Sequence, residues 1–162
     1  MTRRHEEKAV PYVFPEALDD LLGSLSERER ADSFVPTWPE SQAFYGVSLR
    51  RFPATRWGAL DWDSCPNIRQ DFTDDWDQAA RGLAAFVRTY VEADSLVVIT
   101  WGNLGVPSLA LPAESVAAHA EQVLATSDDI WLFAPDDNVL IEYQHDGRLT
   151  AARVADATPA QG

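Results

Sequence analysis

A chain of 162 residues, 46% hydrophobic and 24% charged, can bury one sizeable core and is too apolar to be disordered. No stretch approaches the length of a transmembrane helix, and the single Cys65 excludes an internal disulfide and most cysteine-based metal sites. The net charge of −13 is uneven: residues 1–60 carry eight Arg or Lys against nine Asp or Glu, whereas residues 61–162 carry five Arg, no Lys and seventeen Asp or Glu.

In chain order, residues 1–12 read as a mobile arm. They are charged but have no apolar segment of the kind a secretory signal needs, so a cytoplasmic protein is expected. Pro15 suits the first position of a helix whose stripe is Leu18, Leu21, Leu22 and Leu25, fading through Glu27–Arg30. Residues 31–72 are interrupted by Pro36, Pro39, Pro53 and Pro66 and studded with aromatics. Within them Tyr45, Val47 and Leu49 alternate with Gly46, Ser48 and Arg50, which predicts a half-buried strand. The remainder reads as irregular chain pinned by its aromatics; so long a loop-rich segment is either functional or conceals strands.

Thr73 is the expected N-cap of a central helix, with Asp74 and Asp75 in its first turn and a stripe of Trp76, Ala80, Leu83, Val87, Tyr90 and Val91. Ser95–Trp101 is β-branched and apolar, a strand buried on both faces. Gly102–Gly105 is a turn, Ser108–Leu111 a short returning strand, and Pro112–Ser127 a helix with Val116, Ala120, Val123 and Leu124 inward. Strands follow at 130–134, 139–144 and 148–154, joined by Pro135-Asp136-Asp137-Asn138 and by the Asp146-Gly147 hairpin signal. In the middle strand Val139, Ile141 and Tyr143 share one face, and Leu140, Glu142 and Gln144 the other. Residues 155–162 read as a disordered tail. The expectation is a single α+β domain over 1–162: one mixed or antiparallel sheet with a C-terminal three-stranded meander, covered by about three helices.

Catalytic signatures are absent from the chain. His5 lies in the arm, His119 has no His-Glu-x-x-His spacing, and His145 stands beside a hairpin turn. Gly102-Asn103-Leu104-Gly105 lacks the residues of a phosphate loop, and Asp136-Asp137-Asn138 lacks the glycine and the terminal glutamate of a calcium loop. No enzyme, metal or cofactor is expected. A small hydrolase using Cys65 or a histidine is the alternative from another class.

Charge points to binding. An acidic surface disfavours direct contact with nucleic acid or anionic membrane, since phosphate contacts need basic patches. It fits a basic protein partner, or it serves solubility alone, as in a regulatory or adaptor domain. Six aspartates and one arginine lie between Asp61 and Asp77, interleaved with Trp62, Phe72 and Trp76; a second group, Asp128 to Asp146, has five aspartates, Glu142 and no Lys or Arg. Anchoring aromatics beside steering charge are the composition of an interface. The expected partner-binding residues are Asp61, Trp62, Asp63, Asp71, Phe72, Asp74, Asp75 and Asp77. Helix capping accounts for Asp74 and Asp75 and leaves Asp61, Asp63 and Asp71 unexplained.

The segment Ser127 to Gly147, mainly the Trp131 strand, the Ile141-Glu142-Tyr143 strand and the Asp146-Gly147 turn, resembles the C-terminal strands of small bacterial immunity proteins of polymorphic toxin and contact-dependent inhibition systems. That resemblance implies an acidic α+β protein that binds and occludes the toxic domain of a cognate effector, often a nuclease. It carries over no contact residues, because the family varies at them.

Overall fold

The computed structural model describes residues 12–157. The expected arm, apart from Tyr12, and the last five residues of the expected tail lie outside that span. Tyr12 is tied down, its hydroxyl donating to the Pro36 carbonyl at 2.8 Å and lying 2.7 Å from Ser41 Oγ. The expected tail begins inside described structure: Val154–Asp156 forms a 3-10 turn and Ala157 is buried.

Six strands form one sheet: β1 (Arg69–Phe72), β2 (Leu96–Trp101), β3 (Leu109–Pro112), β4 (Ile130–Ala134), β5 (Val139–Tyr143) and β6 (Arg148–Arg153). Their order is β1-β6-β5-β4-β2-β3, and every neighbouring pair is antiparallel. The expected C-terminal meander is β4-β5-β6. β1 is a correction to the sequence reading: all four of its residues are exposed, so no apolar alternation marks it.

The described residues hold six α-helices: α1 (Asp19–Ser24), α2 (Glu27–Ala31), α3 (Trp38–Val47), α4 (Trp76–Tyr90), α5 (Ala113–Ala118) and α6 (Ala120–Thr126). Two expected helices are each broken in two. Between α1 and α2, Ser26 turns extended and starts a capping box with Glu29, each satisfying the other's backbone N–H. Between α5 and α6, His119 leaves helical geometry at φ −112°, ψ 27°.

The strand expected around Tyr45–Leu49 is instead helix α3 with a 3-10 turn after it. Thr37 and Glu40 form a second capping box, with Glu40 Oε2 accepting from the Thr37 N–H at 2.8 Å. That start signal outweighs a three-residue alternation. Helix α4 starts later than expected. Its N-cap is Asp75, whose Oδ1 accepts from the N–H groups of Asp77 and Gln78 at 2.8 and 3.4 Å. The buried stripe accordingly begins at Ala79 and runs through Leu83, Phe86 and Val87, leaving Trp76 47% exposed.

The sheet is covered on both faces. Helices α1, α4, α5 and α6 bury Leu21, Leu83, Val116 and Val123 against Val97, Ile99, Leu132, Ile141 and Leu149. The Trp101 indole in this core donates to the Val123 carbonyl at 3.1 Å. The opposite face carries Phe133, Leu140 and Ala152, covered by Phe52 and Trp62 from the loop-rich segment together with Phe44 of α3. Phe44, Phe52 and Trp62 of residues 31–68 are thus a second layer.

Candidate interaction site

The two acidic groups of the sequence meet in space. A groove of about 410 Å³ is lined by Asp74, Asp75 and Trp76 from the start of α4, by Asp128 and Asp129 before β4, and by His145 and Asp146 of the β5–β6 turn. Gly147 locks that turn against the α4 entry. It has φ +92°, accepts the Thr73 N–H at 3.0 Å through its carbonyl, and has no room for a side chain: a Cβ would sit 1.7 Å from the Thr73 carbonyl oxygen.

Several of these carboxylates already have work within the fold. Asp75 caps α4, and Asp77 lies in the first turn, where the helix dipole favours it. Asp129 Oδ1 accepts from both the backbone N–H and the Nδ1–H of His145, each at 2.9 Å. That carboxylate raises the His145 pKa above its ordinary value, helped by Asp146 and Asp128. Asp146 accepts from Arg148 Nη2 at 2.8 Å, which holds its own carboxyl below the ordinary range. Asp74 and Asp128 are exposed and make no side-chain hydrogen bond to any described residue. They are the groove's uncommitted charges.

The other expected contact residues surround this groove unevenly. Asp71, on β1 opposite Leu149, and Phe72, opposite Arg148, are exposed at the sheet's edge, Phe72 at 69%. Asp63 is exposed, and its charge contributes to holding Arg148 protonated. Asp61 is half-buried and accepts the Ser64 hydroxyl at 2.6 Å. Trp62 lies inside the protein at 3% exposure, so the surface aromatics of this region are Phe72 and Trp76.

The role of Trp62 is internal. Its Nε1–H donates to Glu142 Oε1 at 2.7 Å, while Trp131 Nε1–H donates to Oε2 at 2.6 Å. Glu142 is 2% exposed, and burial pushes its carboxyl above the ordinary range despite the two indoles. It clamps the aromatic layer to β4 and β5. A glutamate in the middle of an apolar strand, in a chain with tryptophans to spare, is the available sequence signal for this clamp.

Of the candidates for catalysis, His5 lies outside the described residues, and Cys65, His119 and His145 are held in structural contacts. The Cys65 thiol lies half-buried in the aromatic layer, where burial raises its pKa, the wrong direction for a nucleophile. His119 Nε2 lies 3.1 Å from both Glu29 carboxylate oxygens and its Nδ1 lies 3.2 Å from Ser24 Oγ, a serine–histidine–acid sequence of contacts. The Ser24 hydroxyl, however, donates to the Leu21 carbonyl at 2.6 Å, so its proton is committed to backbone and not to the ring. The group ties the α1–α2 corner to the α5–α6 break. Among the described residues no three His, Cys, Asp or Glu side chains are grouped to hold a metal ion, and no helix is long and apolar enough to cross a membrane.

Sheet, two covering layers and an acidic groove edged by exposed aromatics define an α+β domain without a recognisable reaction centre among the described residues. A family model described as "CdiI immunity protein EcoliA0-like" matches residues 31–152, from the end of α2 to the end of β6. The chain belongs to this family of contact-dependent inhibition immunity proteins. No curated protein matches it.

Proposed function

We propose that this immunity protein neutralises a cognate toxin domain in the cytoplasm by binding it, with the acidic groove facing a basic surface on the toxin. The observation that carries this reading is the convergence of acids more than fifty residues apart in sequence, Asp74 with Asp128, around the half-exposed Trp76. Charge of one sign focused in a concave site speeds encounter with an oppositely charged partner. A basic toxin surface is what an enzyme acting on nucleic acid presents, so a nuclease domain is the favoured partner. Inhibition then works by occlusion: aspartates occupy positions that substrate phosphates would take. Asp71, Phe72 and Asp77 extend the contact along the sheet edge and the first turn of α4, and Asp61 and Asp63 add steering charge, Asp63 within electrostatic reach of Arg148.

The test is association kinetics with the toxic domain of the effector encoded next to this chain's gene, measured across a salt series. Asp74→Asn with Asp128→Asn should slow association at low salt by roughly tenfold and flatten its salt dependence. Asp136→Asn, at the far turn, should leave the rate unchanged. If Asp61→Asn, Asp63→Asn and Asp71→Asn together slow association while the groove pair does not, the binding face lies on the β1 side. If neither set matters, the acidity serves solubility and the reading fails.

A further inference from the structure

Residues 41–60 run against the rest of the molecule: they carry Arg50, Arg51 and Arg56 and no acidic residue, a charge of +3 inside a chain of −13. Part of this stretch is a small, well-fastened hairpin. Ala54 and Leu60 form a β-bridge, the Thr55 N–H donates to the Ala59 carbonyl at 2.7 Å, and the Gly58 N–H donates to the Thr55 carbonyl at 2.9 Å. Gly58 supplies the positive φ of +86° that the tip requires. The root is anchored by Phe52, edge-to-face with Trp62 at 5.1 Å between ring centroids, and through Trp62 by Glu142.

At the tip stands Trp57, 80% exposed, the most exposed large hydrophobic side chain among the described residues. The Arg56 guanidinium carbon lies 4.4 Å from its ring centroid and covers part of it. A stack of this kind at an exposed site is weak and does not explain why a turn should hold an indole out to water. Tryptophan and arginine on a rigid mount are the residues that dominate binding energy at protein interfaces. The hairpin also leads into the groove's surroundings. Its second arm continues into Asp61-Trp62-Asp63, and Asp63 sits within electrostatic reach of Arg148, which pairs with Asp146 on the groove wall.

We infer that the Ala54–Leu60 hairpin is a second docking element for the toxin domain, with Trp57 inserting into an apolar slot rimmed by carboxylates that face Arg56. The inference rests on the toxin-binding reading above. A protein patch is the occupant because the chain's net charge of −13 opposes nucleic acid and anionic lipid alike. Two elements of opposite charge also fix orientation, since a partner turned around would oppose like charges at both points.

The experiment compares the full chain with Trp57→Ala and Trp57→Phe for binding to the same effector toxic domain, with thermal melting as the control for folding. Because Trp57 is exposed, both variants should melt with the parent. Trp57→Ala should weaken binding at least roughly tenfold, chiefly through faster dissociation, and Trp57→Phe should recover part of the loss; the groove variants should instead act on association. Parent binding with Trp57→Ala within about twofold of it overturns the inference and leaves toxin binding standing. No binding by the parent overturns both. Retention of the parent, but not of Trp57→Ala, on a single-stranded oligonucleotide or on phosphatidylserine vesicles, with toxin binding unchanged, assigns the hairpin to that partner and also overturns it.

Discussion

Replacing Glu142 by glutamine keeps the shape of the side chain and removes one of its two acceptors. In the parent the carboxylate serves two buried indole N–H groups, from Trp62 at 2.7 Å and Trp131 at 2.6 Å. The carboxamide of the Glu142→Gln variant can serve one; its NH₂ group then faces the other indole, donor against donor. A buried donor left without a partner costs about 1–3 kcal/mol. Relief of the carboxylate's burial offsets part of this, so Glu142→Gln should destabilise by about 1–3 kcal/mol in urea titration at neutral pH. In a Trp62→Phe background the second acceptor is no longer needed, and the same change should cost at least about 1 kcal/mol less. The pH dependence has a definite sign. Glu142 has a folded pKa above its unfolded value, so the folded state holds the proton more tightly. The parent therefore gains stability from this group as pH falls through the folded pKa towards the unfolded value of about 4.3, while the glutamine variant does not. The gap between them should widen on acidification and narrow above that window. A loss under ~0.5 kcal/mol, or an equal loss with and without Trp62, would refute the clamp.

Leu83 is fully buried between α4 and the sheet, so Leu83→Ala should cost about 2–5 kcal/mol in chemical denaturation. Gly147→Ala puts a Cβ 1.7 Å from the Thr73 carbonyl oxygen at φ +92°, and should lower stability by more than about 1 kcal/mol while separating the β5–β6 turn from the α4 entry, visible as faster amide exchange at Thr73. His145 has a raised folded pKa, so its pairing with Asp129 stabilises fully below the unfolded value of about 6.5 and is lost as pH rises through the folded one. The parent's urea midpoint should fall across that window, and that of His145→Asn should fall less.

What is legible in the sequence follows from how each element is stabilised. The strands of the meander and β2 are buried and regular, and their apolar period is sufficient to place them. The body of α4 shows equally well; its start does not, because Thr73, Asp74 and Asp75 are all good caps and only geometry selects Asp75. Helix α3 escapes a reading by periodicity although Thr37-Trp38-Pro39-Glu40 spells a capping box, because its apolar residues follow no clean helical stripe. β1 leaves no pattern at all: an exposed edge strand takes its place from pairing with β6, which sequence spacing does not encode. The acidic character of the site is readable, its assembly is not. Asp74 and Asp128 share a groove only because the β5–β6 turn, held by Gly147, reaches back to the entry of α4.

The same distribution of tasks narrows what the charge of −13 can mean. Asp75 caps a helix, Asp129 holds His145, Asp146 holds Arg148, Glu29 and Glu40 close capping boxes, and Glu142 is buried beneath two indoles. Each of these would be kept by a protein that bound nothing. In and around the groove, the exposed carboxylates left without a bond to any described residue are Asp63, Asp71, Asp74, Asp77 and Asp128, and they stand on elements that cannot shift independently. Asp63 adjoins Trp62, which Glu142 fastens to β5; Asp71 is in a strand paired with β6; Asp74 and Asp128 line one groove beside a turn locked by glycine. Side chains mounted this way lose little freedom when a partner arrives, and binding then loses less of its interaction energy to ordering the surface. On the toxin-binding reading proposed above, net charge would bring a basic partner in, whereas rigid placement of the uncommitted aspartates, with Trp76 beside them, would decide which partner stays.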